Sequence, residues 1–168
     1  MIVWRDAVPG DGPRLATLFA RCFTDTFGHL YHPRDLAMFL KGQGPYGWIS
    51  QLANPAFAVR LGEVEGEPVA FAKLGPPALP VERRGRSAEL RQLYVLSGHH
   101  GSGAGQLLMD WAIDTARGRG ADELFLSVYV ENHRALRFYR RQGFEPVGSY
   151  AFMVGNHRDE DVLMRLTL

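Results

Sequence analysis

The segment at residues 100–105 has the residue types and spacing of an anion-binding loop. Its sequence is His-Gly-Ser-Gly-Ala-Gly, between a predicted strand and a predicted helix. Glycine lets a ligand approach the backbone where a side chain would otherwise stand, and the free N–H groups of a helix N-terminus point at that ligand. The loop therefore predicts a diphosphate site, although a glycine-rich turn that only joins a strand to a helix has the same composition.

Two other kinds of phosphate loop do not fit this segment. No Gly-Lys-Ser/Thr ending is present, which excludes the nucleoside triphosphate loop. The Gly-x-Gly-x-Gly spacing also differs from the Gly-x-Gly-x-x-Gly of dinucleotide folds, which require parallel strand units at the start of the chain.

A second informative segment covers residues 132–144, with the sequence Asn-His-Arg-Ala-Leu-Arg-Phe-Tyr-Arg-Arg-Gln-Gly-Phe. Ala135 and Tyr139 are four residues apart and share one face of a predicted helix, with Phe138 one step round it. A core-facing tyrosine needs a partner for its hydroxyl. Tyr139 is therefore either a packed aromatic bonded to a carbonyl or a proton donor.

Together these segments resemble the GCN5-related N-acetyltransferase superfamily over residues 88–144. The shared features are a strand, a Gln/Arg-x-x-Gly-x-Gly/Ala loop, a helix, a strand and an Asn-x-x-Ala-x-x-Phe-Tyr-x-x-x-Gly-Phe segment. One position departs from the family pattern, since His100 stands where the family has Gln or Arg. The resemblance implies an enzyme that transfers the acetyl group of acetyl-CoA to a primary amine by direct attack in a ternary complex.

The resemblance also implies roles for individual residues. Tyr139 would protonate the departing CoA thiolate, and Glu89 would take a proton from the amine through a water, unless it is a surface residue paired with an arginine. A backbone N–H near Tyr94 or Val95 would bind the thioester oxygen, where family members separate this strand from the next and thread pantetheine between them. Asn132 would contact pantetheine or only cap its helix. The implied cofactor-binding set is Leu93, Tyr94, Val95, His100, Gly101, Ser102, Gly103, Ala104, Gly105, Asn132 and Tyr139.

Within the superfamily the chain is most similar to bacterial spermine/spermidine-type N-acetyltransferases. The similarity rests on Thr26-Phe27 before a proline-led helix, on residues 144–152 with Gly148, and on the C-terminal segment 161–168. A polyamine or another small amine is the expected acceptor. A protein N-terminus or lysine, an aminoglycoside, and a non-catalytic CoA-binding regulatory module are the alternatives. The acidic candidates for the acceptor side are Asp25, Asp35 and Glu63, and a basic rim at Arg83, Arg84 and Arg86 would repel a polyamine.

The element order predicts a single α/β (α+β) domain over residues 1–168. Expected strands cover residues 2–5, 56–61, 68–74, 88–96, 123–130, 144–154 and 162–168. Expected helices start at Asp11 and Pro33 and cover 46–52, 103–117 and 132–142, with loops at 24–30 and 75–87 and turns at 63–67 and 155–159. This order favours a mixed, mostly antiparallel seven-stranded sheet with helices on both faces.

Composition and net charge limit the classes of partner that we expect this protein to bind. Nineteen basic and eighteen acidic residues leave a formal charge of +1, which argues against nucleic acid or an anionic membrane as partner. The single cysteine and the lack of a signal peptide predict a cytoplasmic protein. His99 and His100 lack a carboxylate or cysteine companion, so no metal is expected. Residues 162–168 could pair across a homodimer.

Overall fold

Seven strands form one sheet in a computed structural model that describes residues 1–168. The strands are β1 (Val3–Asp6), β2 (Ala58–Val64), β3 (Glu67–Gly75), β4 (Ser87–Val95), β5 (Glu123–Tyr129), β6 (Glu145–Val154) and β7 (His157–Thr167). Their order in space is β1-β2-β3-β4-β5-β7-β6, and only the β4–β5 pair is parallel. The predicted mixed, mostly antiparallel sheet is confirmed.

Five helices cover the sheet. They are α1 (Gly12–Phe27), α2 (Pro33–Lys41), α3 (Pro45–Ala53), α4 (Ala104–Gly118) and α5 (His133–Arg141). Phe71 of β3 meets Trp48 of α3 edge-on at 5.3 Å between ring centroids, so α3 lies on the Phe71 face. Side chains alternate along a strand, which puts Ala70 and Ala72 on the opposite face, where small residues let α4 pack closely. Helices on both faces were predicted, and they are present.

Two predicted boundaries are wrong for related reasons. Residues 24–27, predicted as loop, continue α1, because Phe19, Phe23 and Phe27 prolong its apolar face at four-residue spacing. Strand β7 starts at His157 rather than Val162, and only Gly155 and Asn156 form the turn before it. Polar residues at its start hid the strand, because its inner face carries carboxylates.

The inner position of β7 also corrects the expected dimer contact. Both edges of β7 are hydrogen-bonded, one to β5 and the other to β6. Residues 162–165 therefore have no free edge with which to pair across a dimer. The free edges of the sheet belong to β1 and β6.

Strands β4 and β5 separate soon after they meet. Their parallel pairing covers only Ser87–Glu89 and Glu123–Phe125, although both strands continue beyond it. Each strand keeps its other neighbour, since β4 pairs with β3 as far as Val95 and β5 pairs with β7 as far as Tyr129. The sheet is thus split near its middle.

No helix combines the length and hydropathy that crossing a membrane requires.

Candidate functional site

A cavity of about 620 Å³ occupies the split between β4 and β5. Helices α4 and α5 line it from one face of the sheet, and α1 and α2 line it from the other, so it passes through the sheet. The predicted site residues that line it are Leu93, Tyr94, Val95, His100, Gly101, Gly103, Ala104, Gly105, Asn132 and Tyr139. Glu89 and Ser102 are the two predicted site residues that do not.

Strand β4 turns unpaired backbone groups toward this cavity. The N–H of Leu96 donates to the carbonyl of Val69 at 2.9 Å. Because antiparallel partners alternate along a strand, the N–H of Tyr94 is directed at β3 and that of Val95 is directed into the split. The carbonyl of Val95 lies on the split side as well, where Nε2 of His100 donates to it at 2.7 Å. Of the two candidate oxyanion donors, the geometry favours Val95.

The glycine loop forms the N-terminal approach to α4. Gly101 and Gly103 have φ angles of +80° and +84°, which side chains rarely adopt, and Gly103 caps the helix. A Cβ at either position would meet no protein atom within 4 Å, so the backbone conformation rather than crowding requires glycine. The first N–H groups of α4 have no helical acceptor and are available to an anion. Ser102 acts within the loop, since its hydroxyl donates to the carbonyl of His99 at 2.6 Å.

His100 holds a cation beside this loop instead of presenting a free ring nitrogen. A guanidinium nitrogen of Arg134 donates to Nδ1 of His100 at 2.7 Å. Since guanidinium cannot accept a hydrogen bond, this geometry fits the tautomer in which Nδ1 accepts from Arg134 and Nε2 donates to Val95. Arg134 and Arg141 both line the cavity. The sequence analysis placed His100 in the cofactor-binding set, and the structure brings Arg134 to the loop through it.

The side chain of Asn132 caps α5. Its Oδ1 accepts a hydrogen bond from the N–H of Ala135 at 3.3 Å. Asn132 also lines the cavity, so its position suits a pantetheine contact as well as the helix cap.

Tyr139 packs at the centre of the cavity wall. Its ring lies 5.5 Å from that of Phe138 and 5.8 Å from that of Phe144, between centroids. Burial alone raises the pKa of its hydroxyl to about 12, with no hydrogen bond contributing. The phenol is therefore protonated at neutral pH and has its proton available for donation. Burial raises the pKa of the Tyr94 hydroxyl above its ordinary value, and Tyr139 adds to that effect.

Glu89 is in the closed part of the sheet, which corrects its expected position at the reaction centre. It pairs with Phe125 before the strands separate. Its Oε1 accepts from the N–H groups of Ala78 and Leu79, both at 2.9 Å. Its Oε2 lies 3.0 Å from Nε of Arg91. These contacts use most of the lone pairs on the two carboxylate oxygens of Glu89 and hold the loop that precedes β4. The carboxylate does not reach the cavity.

The carboxylates that do line the cavity are Asp159 and Asp161 of β7, both 6% exposed. The hydroxyl of Tyr31 donates to Asp159, and Nε2 of His157 lies 3.1 Å from its other oxygen. Burial raises the pKa of Asp161 to about 6, an effect that Asp159 reinforces and a hydrogen bond from Ser127 opposes. The sequence analysis missed this pair as site residues. Residues 158–161 are all charged, so the strand shows no alternation of apolar and polar residues there that would have found the pair.

The comparisons with known proteins show the family to which the chain belongs. Residues 13–144 match the profile described as the Acetyltransferase (GNAT) family. The chain belongs to this family. An uncharacterized N-acetyltransferase of Mycobacterium bovis is 32% identical to this GNAT protein over 155 residues, which cover 92% of this chain and 96% of the relative.

Solved structures share the same GNAT fold. The PaiA N-acetyltransferase of Thermoplasma acidophilum, in complex with coenzyme A, is similar with a TM-score of 0.80 at 17% identity, covering 100% of this chain and 99% of that one. The ribosomal-protein-alanine N-acetyltransferase of Brucella melitensis is similar with a TM-score of 0.73 at 26% identity, covering 99% of both chains. This GNAT protein is accordingly an acyl-CoA-dependent N-acyltransferase. It contains no group of three His, Cys, Asp or Glu side chains placed to hold a metal ion.

The raised pKa of Asp161 predicts how stability depends on pH. Its ordinary value is 3.8, so the folded state of this GNAT enzyme is relatively favoured while the carboxyl is protonated and loses stability as pH rises through about 6. That difference corresponds to roughly 3 kcal/mol once the group is ionised. We expect Asp161→Asn to melt about 6–12 °C above wild type at pH 8 by differential scanning calorimetry, with the gap closing below pH 4. Glu160→Gln, at the exposed neighbouring position, should not change the melting temperature, and an Asp161→Asn gap independent of pH would contradict the prediction.

Proposed function

We propose that the enzyme transfers the acetyl group of acetyl-CoA to a small primary amine by direct attack in a ternary complex. The observation that carries this proposal is the cavity that crosses the sheet, with the glycine loop and arginines on the α4–α5 side and two carboxylates on the α1–α2 side. Two substrates of opposite charge can therefore enter from opposite faces. Their reactive groups would meet between Val95, Tyr139 and Asp161.

The α4–α5 side suits coenzyme A. The free N–H groups of the glycine loop and the start of α4 would bind the pyrophosphate, and Arg134 and Arg141 supply positive charge for phosphates. Pantetheine threaded between β4 and β5 would occupy the position of a missing strand partner and hydrogen-bond to the groups that the split leaves unpaired. The coenzyme A bound by the Thermoplasma structure of the same fold supports this assignment.

Three groups divide the chemistry of the transfer. An alkylammonium has a pKa near 10, so it must lose a proton before attack, and Asp161 is the carboxylate in the cavity that can accept it. The neutral amine then attacks the thioester carbon, while the N–H of Val95 binds the oxygen on which negative charge develops. As the C–N bond forms and the C–S bond breaks, Tyr139 gives its proton to the departing thiolate, and the second amine proton leaves nitrogen and restores the Tyr139 hydroxyl. The net products are the amide, CoA as thiol, and one proton released to solvent from Asp161.

The identity of the amine that accepts the acetyl group is the second part of the proposal. The resemblance to spermine/spermidine-type enzymes predicts a polyamine, and a protein N-terminus or lysine is the alternative. The likeness to the Brucella ribosomal-protein-alanine enzyme is at 26% identity and supports the protein acceptor only by analogy. A purely regulatory CoA-binding module has no need of Asp161 and Tyr139 facing one cavity.

Substitution of the two proposed proton-transfer groups tests the reaction. With acetyl-CoA and a panel of amines, we expect amine-dependent thiol release to fall about 10²-fold in both Tyr139→Phe and Asp161→Asn. In wild type, kcat/KM should rise with pH through about 6 as Asp161 ionises, and Asp161→Asn should lose that limb. Glu89→Gln is the matched control, because its carboxylate is outside the cavity. A 10²-fold loss in Glu89→Gln with an unaffected Asp161→Asn would instead make Glu89 the base.

The glycine loop offers a separate test of the CoA site. Gly103→Ala introduces a Cβ at φ +84°, at a strain of about 1–2 kcal/mol, in the loop that would hold the pyrophosphate. We expect Kd for CoA, measured by calorimetry, to rise about tenfold. Gly98→Ala is the control, since Gly98 has an ordinary φ and open space around it. Equal CoA affinity in Gly103→Ala and wild type would place the pyrophosphate elsewhere.

A further inference from the structure

A bridge joins α2 to the β6–β7 hairpin beside the acceptor side of the cavity. Oδ1 of Asp35, in the first turn of α2, accepts a hydrogen bond from the N–H of Asn156 at 3.0 Å. The hairpin approaches α2 so closely that a Cβ on Gly155 would lie 2.6 Å from Cα of Asp35. Phe39 of α2 also meets Phe152 of β6 at 5.6 Å between ring centroids.

A second set of contacts joins the segment before α2 to β7. The segment just before α2 carries Tyr31, whose hydroxyl donates to Asp159 of β7 and whose ring lies 5.1 Å from that of His157. Tyr31 is buried and stacks on Phe23 of α1 at 5.9 Å. Helices α1 and α2 are therefore joined to the end of the sheet at several points. These contacts hold α2 and the hairpin together beside the aromatic part of the cavity.

The space beneath the bridge is aromatic. Phe23 and Phe39 lie 4.7 Å apart between ring centroids, Phe23 and Phe27 lie 5.2 Å apart, and Phe27 meets Tyr129 edge-on at 6.2 Å. All four line the cavity. Such a wall favours an apolar or aromatic ligand by burial, and ring faces attract a cation brought close to them.

Negative charge in this space is limited to one available carboxylate. Asp159 is already engaged by Tyr31 and His157, which leaves Asp161. The acidic candidates from the sequence do not add to it, because Glu63 is paired with Arg5 and Arg14 and Asp35 holds the hairpin. Neither Asp25, Asp35 nor Glu63 lines the cavity. A polyamine with several ammonium groups would leave all but one of its charges unpaired among phenyl rings, which is costly.

We propose, resting on the proposed acetyl transfer, that the acceptor is a compact arylalkyl monoamine whose ammonium group lies at Asp161 and whose ring packs among Phe23, Phe27 and Phe39. The α2–hairpin bridge excludes polypeptide amines, and the single available carboxylate disfavours polyamines. This assigns to Asp35 and Gly155, which are outside the reaction centre, a role in selecting the acceptor by size.

The test compares acceptors in wild type and in two kinds of variant. Thiol release from acetyl-CoA is measured with phenethylamine, butylamine, spermidine and a short peptide with a free N-terminus. We expect kcat/KM for phenethylamine to exceed that for butylamine and for spermidine by at least about tenfold, as ring burial and charge matching predict. Phe39→Leu keeps an apolar side chain but removes a ring, and should reduce the phenethylamine-over-butylamine preference severalfold.

Opening the bridge should relax the size limit. Asp35→Ala removes the hydrogen bond to the hairpin, and we expect it to raise peptide use relative to phenethylamine by about tenfold. Arg34→Ala, at the adjacent exposed position, is the control and should leave the ratio unchanged. Gly155→Ala displaces the hairpin from the opposite side and should act like Asp35→Ala. Thermal melts establish that each variant is folded.

The outcomes separate this proposal from the function on which it rests. Thiol release that is fastest with spermidine or the peptide in wild type would overturn the arylalkylamine proposal and keep the transferase. If no amine supports release, the proposed function fails, and the acceptor proposal is decided by calorimetry of phenethylamine with the CoA-loaded protein. Binding that Asp161→Asn weakens about tenfold or more would support the proposed pocket, and absence of binding would overturn it.

Discussion

The separation of β4 from β5 after three paired residues is the constraint on which the rest of the structure depends. Backbone groups in the middle of a sheet cost about 1–3 kcal/mol each when they are buried without a partner. One such group is the carbonyl of Val95, which accepts a hydrogen bond from His100. The N–H of Val95 is left for a ligand. Each strand stays paired on its outer side as the split opens, β4 with β3 through one register shift between Lys73 and Leu74, and β5 with β7. The opening therefore lies between two half-sheets that are each held by their own hydrogen bonds.

This geometry also separates charge. Residues on the α4–α5 side of the cavity include Arg134 and Arg141, while Asp159 and Asp161 face the side of α1 and α2. An anionic substrate and a cationic one are each attracted at a different mouth and repelled at the other, which orders the two in a single cavity. The groups that would act on both lie between these regions. There the surroundings are apolar, so a fixed N–H or carboxylate acts more strongly than it would in water.

The sequence was sufficient for features encoded by local pattern and insufficient for those set by pairing. The glycine loop, the helix that carries Tyr139 and the succession of seven strands along the chain all follow from residues that are near each other in the sequence. Glu89 was misplaced because no periodicity states how far β4 and β5 stay paired, and its position within that pairing decides whether it reaches the cavity. Asp161 was missed as a site residue because carboxylates on the inner face of β7 removed the apolar signal of a strand. The contact of His100 with Arg134 joins residues 34 positions apart, which local spacing does not predict.

Glu89 and Asp161 show how the structure distinguishes a structural carboxylate from a functional one when both are buried. Glu89 accepts two backbone N–H groups and pairs with Arg91, so its charge is compensated by the protein and it orders a loop. Asp161 has one hydroxyl donor and a second carboxylate nearby, and its ionised form is disfavoured. A residue that lowers stability when charged has no structural reason to be acidic, because asparagine would fill the same space without that cost. In the proposed reaction, an ammonium group in the cavity would supply the missing compensation.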